Sequence, residues 1–176
     1  MRTLAILLLL FPTIASAEPS TTKSTSSNAE AEPLWELELQ LGYGIARRGT
    51  AEMAETKPGP LSFAALGAVA INEEPRAFAY GGLVGEAKER SGVGVTAGAR
   101  LELRELPVRL SGGGVWMFAP DTLWGAQAAA GSCFGGSIAI CGDIALTAYF
   151  AGTGLPADET EVQLQFVLGF AARGGN

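Results

Sequence analysis

Histidine is absent from the 176 residues of this chain. Its absence removes the side chain that most often acts as general base at neutral pH, and with it the usual route to an activated nucleophile. It also removes the commonest transition-metal ligand. Cysteine is scarce, with only Cys133 and Cys141, and two thiols do not complete a four-ligand metal site. No stretch approaches the roughly 18 to 20 uncharged apolar residues that a membrane-spanning helix requires. Positive charge is in deficit, with 12 basic against 18 acidic residues and a net charge of −6. Nucleic acid is therefore not an expected partner, because its binding relies on clustered Lys and Arg. The expectation from these absences is a protein that is not an enzyme and carries no metal and no cofactor.

The N-terminal residues have a clear layout. Arg2 is followed by an apolar run over residues 4–14 and by Ala15, Ser16 and Ala17. A basic start, a short apolar run and small residues before a cut at Glu18 make a secretory signal peptide over residues 1–17. Residues 18–33 are mostly Ser, Thr, Glu, Ala and Pro. They cannot bury enough apolar surface to offset the entropy of ordering, so they are expected to form a disordered tail. Residues 34–171 form one domain, and residues 172–176 a short C-terminal tail.

The whole chain is 48% hydrophobic and rich in glycine, with 24 residues, yet the domain is poor in helix signals. A strand pattern accounts for this. Over residues 34–46, Trp35, Leu37, Leu39, Leu41, Tyr43 and Ile45 alternate with Glu36, Glu38, Gln40, Gly42, Gly44 and Ala46. Over residues 161–171, Val162, Leu164, Phe166, Leu168 and Phe170 alternate with Glu161, Gln163, Gln165, Val167, Gly169 and Ala171. A period of two means a strand with one apolar and one polar face. Six further strands are predicted over residues 61–71, 76–86, 91–104, 106–118, 122–133 and 137–150. Residues 72–75 and the link at Glu105 supply turn chemistry between them.

The character of the two faces points to lipid outside. One face carries bulky Leu, Val and Ile, with Trp35, Tyr43, Trp116, Phe118, Trp124, Phe150 and Phe170 near strand ends, where a membrane barrel places its aromatic girdles. The other face mixes small residues with charges: Glu36, Glu38, Arg100, Glu102, Arg104, Arg109, Asp143 and Glu161. Such a face suits a narrow, filled interior in which charges are paired. A soluble ligand-binding barrel would turn its apolar face inward instead. The predicted strands reach the roughly 9 to 11 residues that a tilted strand needs to cross the hydrocarbon layer. The expected fold is an all-β, eight-stranded, antiparallel, up-and-down transmembrane β-barrel. With the N-terminus on the periplasmic side, the outer loops are residues 47–59, 88–90, 119–121 and 151–159. Cys133 and Cys141 flank the predicted turn over residues 134–136, and a disulfide between them is expected in an oxidising compartment.

On this pattern, over residues 34–171, the chain resembles the small eight-stranded outer-membrane barrels of the OmpA/OmpX type. The resemblance implies an outer-membrane location after signal-peptide cleavage, lipid as the surrounding partner, insertion by the barrel-assembly machinery, and a monomer. It implies a structural or interaction role; a narrow passive channel and a secreted soluble binder are the alternatives. Barrels of this type often end on an aromatic residue, whereas here Phe170 is followed by Ala171, Ala172, Arg173, Gly174, Gly175 and Asn176.

Overall fold

A computed structural model describes residues 34–50, 52–72, 76–103 and 107–175. The signal peptide, the tail over residues 18–33, Arg104 and the link at Glu105 lie outside the described residues. The strands are β1 (Trp35–Gly49), β2 (Ala54–Pro58), β3 (Leu61–Asn72), β4 (Arg76–Ala87), β5 (Gly92–Leu103), β6 (Val108–Ala119), β7 (Leu123–Gly135), β8 (Ile138–Ala151) and β9 (Thr160–Gly174). Sequential neighbours from β3 to β9 pair antiparallel. β1 pairs with β9 from Trp35 opposite Gly174 to Gly49 opposite Thr160. The first and last strands therefore close the sheet on itself, giving an all-antiparallel barrel of eight staves.

The eighth stave is made of two pieces. β3 pairs with the first part of β1, with Ser62 opposite Gly42, and β2 pairs with its last part, with Pro58 opposite Ile45. Between them the register slips by one residue. Gly59 still donates its N–H to Gly44 O at 2.9 Å, but Pro60 has no N–H with which to continue the ladder. Residues 47–59 are thus not the loop that their polar composition suggests. β1 and β2 form a hairpin that rises above the rim, turned by the Thr50 N–H to Met53 O bond at 2.9 Å. β2 pairs with β1 alone, but it is short and carries Glu55, Lys57 and Pro58, the features that blunt an open edge. The expected tail over residues 172–176 is also shorter, because β9 runs on to Gly174. Arg173 holds that last turn of strand by bonding Glu36 and Glu102 inside the barrel.

Period two sorts the side chains. Along β9, Glu161, Gln163, Gln165, Val167 and Ala171 are buried, while Leu164, Phe166, Leu168 and Phe170 are exposed outside. All seven girdle aromatics lie exposed on the outer wall. Phe63 and Phe134 join them near the strand ends, also exposed. The phase of β4 departs from its neighbours: the bulky Phe78 and Tyr80 point inward, 2% and 6% exposed, and pack on Leu66 and Ala68. Room for Tyr80 comes from Gly98 and Gly113 beneath it, where an added Cβ would sit 2.8 Å from its hydroxyl. The outer wall is bulky on β8, β9 and β1. Elsewhere it is small at mid-height, where Gly67, Gly81, Ala97, Gly114 and Ala126 are successive register partners.

Candidate functional site

The interior is where this fold concentrates its polar chemistry, and it is filled in layers. At the lower end, where β1 begins, Glu36 and Glu38 project inward from β1 and face Arg100 of β5, Arg109 of β6 and Asp143 of β8. All five are at most 5% exposed. Arg100 bonds both Glu36 and Glu38, the latter at 2.8 Å. Arg109 bonds Glu38 through Nη1 at 3.0 Å and through Nη2 at 2.6 Å, and it reaches Asp143 through Nε at 2.8 Å. Arg173 ties Glu36 (2.6 Å) to Glu102 (3.1 Å), and Arg76 meets Glu102 at 3.1 Å. Every acid in this layer therefore has a guanidinium partner, the condition under which buried charge is tolerated.

A second layer sits at the upper end, below the β1–β2 hairpin. Glu86 of β4 and Glu161 of β9 are 6% and 7% exposed. Their cation is Arg90, from the connection between β4 and β5, which is bent by Lys88 at φ 72°. Arg90 bonds Glu86 and Glu161, and its guanidinium lies 4.8 Å from the centre of the Tyr149 ring. Burial weighs against the Arg90 charge, but the hydrogen bond and field of Glu86, with the field of Glu161, raise its pKa above the ordinary value. The Tyr149 hydroxyl and Gln163 Nε2 both donate to Glu86, at 3.2 and 3.1 Å. Leu155, from the β8–β9 connection, is 7% exposed and packs with Val115, Met117, Leu123 and Tyr149. That connection is held by Arg48, which bonds Glu159 at 3.0 Å and Gly154 O at 3.1 Å.

Between the layers lies a band of amides and hydroxyls. Gln127 donates to Tyr80 and Thr96, Gln165 to Gln163, and Ser62 to Gln165. The spaces left are small. One of about 80 Å³ is lined by residues including Gln40, Thr147 and Gln163, and one of about 50 Å³ by residues including Arg100 and Asp143. Volumes of that size hold a few water molecules each.

Of the eight charges expected in one interior network, the structure brings Glu36, Glu38, Arg100, Arg109 and Asp143 together, with Glu102 at their edge. Glu161 belongs to the other end, since β9 runs from top to bottom and Glu161 is at its start. Arg76, Glu86, Arg90 and Arg173 are members that the sequence reading missed. Arg76 and Glu86 share the phase of Phe78 and Tyr80, so the inward phase of β4 was their signal. Arg173 continues the inward phase of Glu161 and Gln163, whereas Arg90, in a connection, has no periodic signal. Cys133 and Cys141 stand opposite each other on β7 and β8 and are disulfide-bonded. Among the described residues, no three His, Cys, Asp or Glu side chains cluster as a metal site.

Fold and interior together define a closed antiparallel barrel, apolar outside and filled by paired charges within. No protein-family model and no curated protein matches the chain. Among solved structures, it is similar to a designed transmembrane β-barrel at 11% identity, covering 82% of this chain and 98% of that one, with a TM-score of 0.49. It is also similar to Neisserial surface protein A at 12% identity, covering 80% and 97%, with a TM-score of 0.49. A third is Ail, the attachment invasion locus protein of Yersinia pestis, at 16% identity, covering 80% and 99%, with a TM-score of 0.49.

Proposed function

We propose that this chain, after loss of residues 1–17, is a monomeric outer-membrane β-barrel. In this reading it acts through the surface it presents outside the cell, and neither catalyses a reaction nor conducts. The observation that carries the proposal is the inversion of the two faces: Leu39, Ile144, Leu83 and Phe170 are more than 60% exposed outside, while Glu36, Glu38, Arg100 and Arg109 are buried within. Exposed apolar wall of that extent is stable against lipid and is a liability in water. The ten residue steps from Trp35 to Ile45 span about 33 Å of strand, or about 25 Å of height at the usual tilt, which matches the apolar band of such barrels. Closure by β1 and β9 leaves no unpaired strand edge within that band.

The charged layers at both ends support the non-conducting part of the reading, because eight strands leave room only for side chains. The β1–β2 hairpin and the connection over residues 152–159 are then the parts offered to partners. Lipid surrounds the wall, the barrel-assembly machinery inserts it, and the acidic balance of the chain leaves nucleic acid aside. Purified protein folded in detergent is expected to migrate faster unheated than boiled, and in fractionated cells the protein is expected to stay in the membrane fraction until detergent is added. Planar bilayers containing it are expected to show no steady current. Equal migration would sink the closed membrane barrel, and a stable open-pore current would replace the interaction reading with that of a channel.

A further inference from the structure

The upper layer holds a guanidinium in a cage. Arg90 donates through Nε to Glu86 at 2.5 Å and through Nη1 to Glu161 at 3.1 Å, and its Cζ lies 4.8 Å from the centre of the Tyr149 ring. Two carboxylates and an aromatic face are the chemistry that selects a guanidinium, whose planar fork bonds carboxylates and whose flat side stacks on rings. The walls of the cage stand on strands: Glu86 on β4, Tyr149 on β8 and Glu161 on β9. Tyr149 and Gln163 also donate to Glu86, which anchors that carboxylate independently of Arg90. Only the occupant comes from a connection. The cage is open on two sides as well. Arg90 is 22% exposed toward the mouth, and beneath it Glu86, Tyr149 and Gln163 line the cavity of about 80 Å³.

Charge balance separates this end from the other. In the described part of the lower end, the four acids Glu36, Glu38, Glu102 and Asp143 meet four arginines. The stretches that reach the upper end, residues 47–59, 86–90, 119–121 and 151–161, carry eight acids and five cations. An acidic mouth concentrates cations and speeds their arrival. We propose that the outer mouth is a receptor site for a guanidinium-bearing ligand, an arginine side chain of a partner, and that Arg90 is its resident stand-in. The partner's guanidinium replaces that of Arg90 between Glu86 and Glu161, and Arg90 moves into water with its connection. Both acids are paired before and after the exchange, the condition under which buried carboxylates are tolerated. The proposal rests on the outer-membrane reading, which turns this end outward.

The test is a titration of the full mature chain, folded in a neutral detergent, with the blocked tripeptide acetyl-glycyl-arginyl-glycinamide. The peptide carries ¹³C at its guanidinium carbon, and binding is read by line broadening at constant ionic strength. Saturable binding to the native chain is expected. Arg90→Ala is expected to tighten it by about tenfold or more, because the resident competitor is gone. In that background, Glu86→Gln or Glu161→Gln is expected to weaken it by about tenfold or more, since each removes a charged acceptor. Glu102→Gln, the same change of charge at the lower end, leaves it unchanged. The lysyl analogue is expected to bind more weakly, because an ammonium cannot fork between two carboxylates. Binding to Arg90→Ala with none to the native chain overturns the proposal, since Arg90 is then fixed filling. So does binding that Arg90→Ala does not tighten, that survives loss of Glu86 or Glu161 in folded protein, or that the lysyl analogue equals. Heat-modifiable migration of the same samples separates the two ways to fail. A shift without peptide binding overturns the receptor site alone, whereas no shift overturns the barrel beneath it.

Discussion

The two charged layers use the same chemistry but draw their cations from different places. In the lower layer, Arg100 and Arg109 belong to β5 and β6, so the closed sheet fixes where each guanidinium starts. Their side chains are 4% and 5% exposed. In the upper layer the only cation on Glu86 among the described residues is Arg90, which comes from a short connection and is 22% exposed. A strand arginine has nowhere else to go, whereas a connection arginine is held only by what it bonds. The lower layer is therefore part of the barrel's stability, and the upper layer is where the filling can loosen without loss of the fold.

Arg109→Ala breaks that contrast most severely. It strips both Glu38 and Asp143 of a buried partner, and loss of one member of a buried ionic group costs about 3 to 5 kcal/mol. Urea unfolding in detergent should show the midpoint fall accordingly. Arg100→Ala is milder, about 2 to 3 kcal/mol, because Glu36 keeps Arg173 and Glu38 keeps Arg109. An unfolding midpoint that stays put in the Arg100 variant would mean that the lower layer is not a stabilising network. Arg90→Ala should cost less again, about 1 to 2 kcal/mol, since the acids it abandons lie next to the aqueous rim and Glu86 keeps its bonds from Tyr149 and Gln163. If the Arg90 and Arg109 variants lose equal stability, the distinction between strand and connection cations fails.

The same distinction explains what could be foreseen from the residues. Alternation along β1, β5, β6, β8 and β9 places Glu36, Arg100, Arg109 and Asp143 inward without any coordinates, because one residue of slip would turn a charge into the apolar wall. On β4 the rule loses force: Phe78 and Tyr80 share a phase with Arg76 and Glu86, and apolar character alone does not say which way a mixed face turns. Packing on Leu66 and Ala68, from a neighbouring strand, decides it. The β1–β2 hairpin was hidden for a related reason. Arg47, Glu55 and Lys57 stand above the apolar band, where alternation between lipid and lumen no longer applies, so backbone pairing alone marks the strand. Arg90 was the least visible, since its role depends on a turn and on two acids four and 71 positions away.

The smallest expected effect tests whether the upper end is a separate, looser unit. Arg48 is 41% exposed at its side chain, and its bond to Glu159 is an exposed ion pair, a kind worth about 0.2 to 1 kcal/mol. Arg48→Ala should therefore hardly move global unfolding. It does, however, remove two of the ties on the connection over residues 152–159, those to Glu159 and to Gly154 O. Limited proteolysis of folded protein should then cut that connection several-fold faster, while the barrel strands stay resistant. Unchanged cleavage would assign the hold on the connection to Leu155, packed against Met117 and Leu123, together with the bonds of Thr122 to Thr153 and Gly154, because those contacts are the parts of the anchor that the substitution leaves intact.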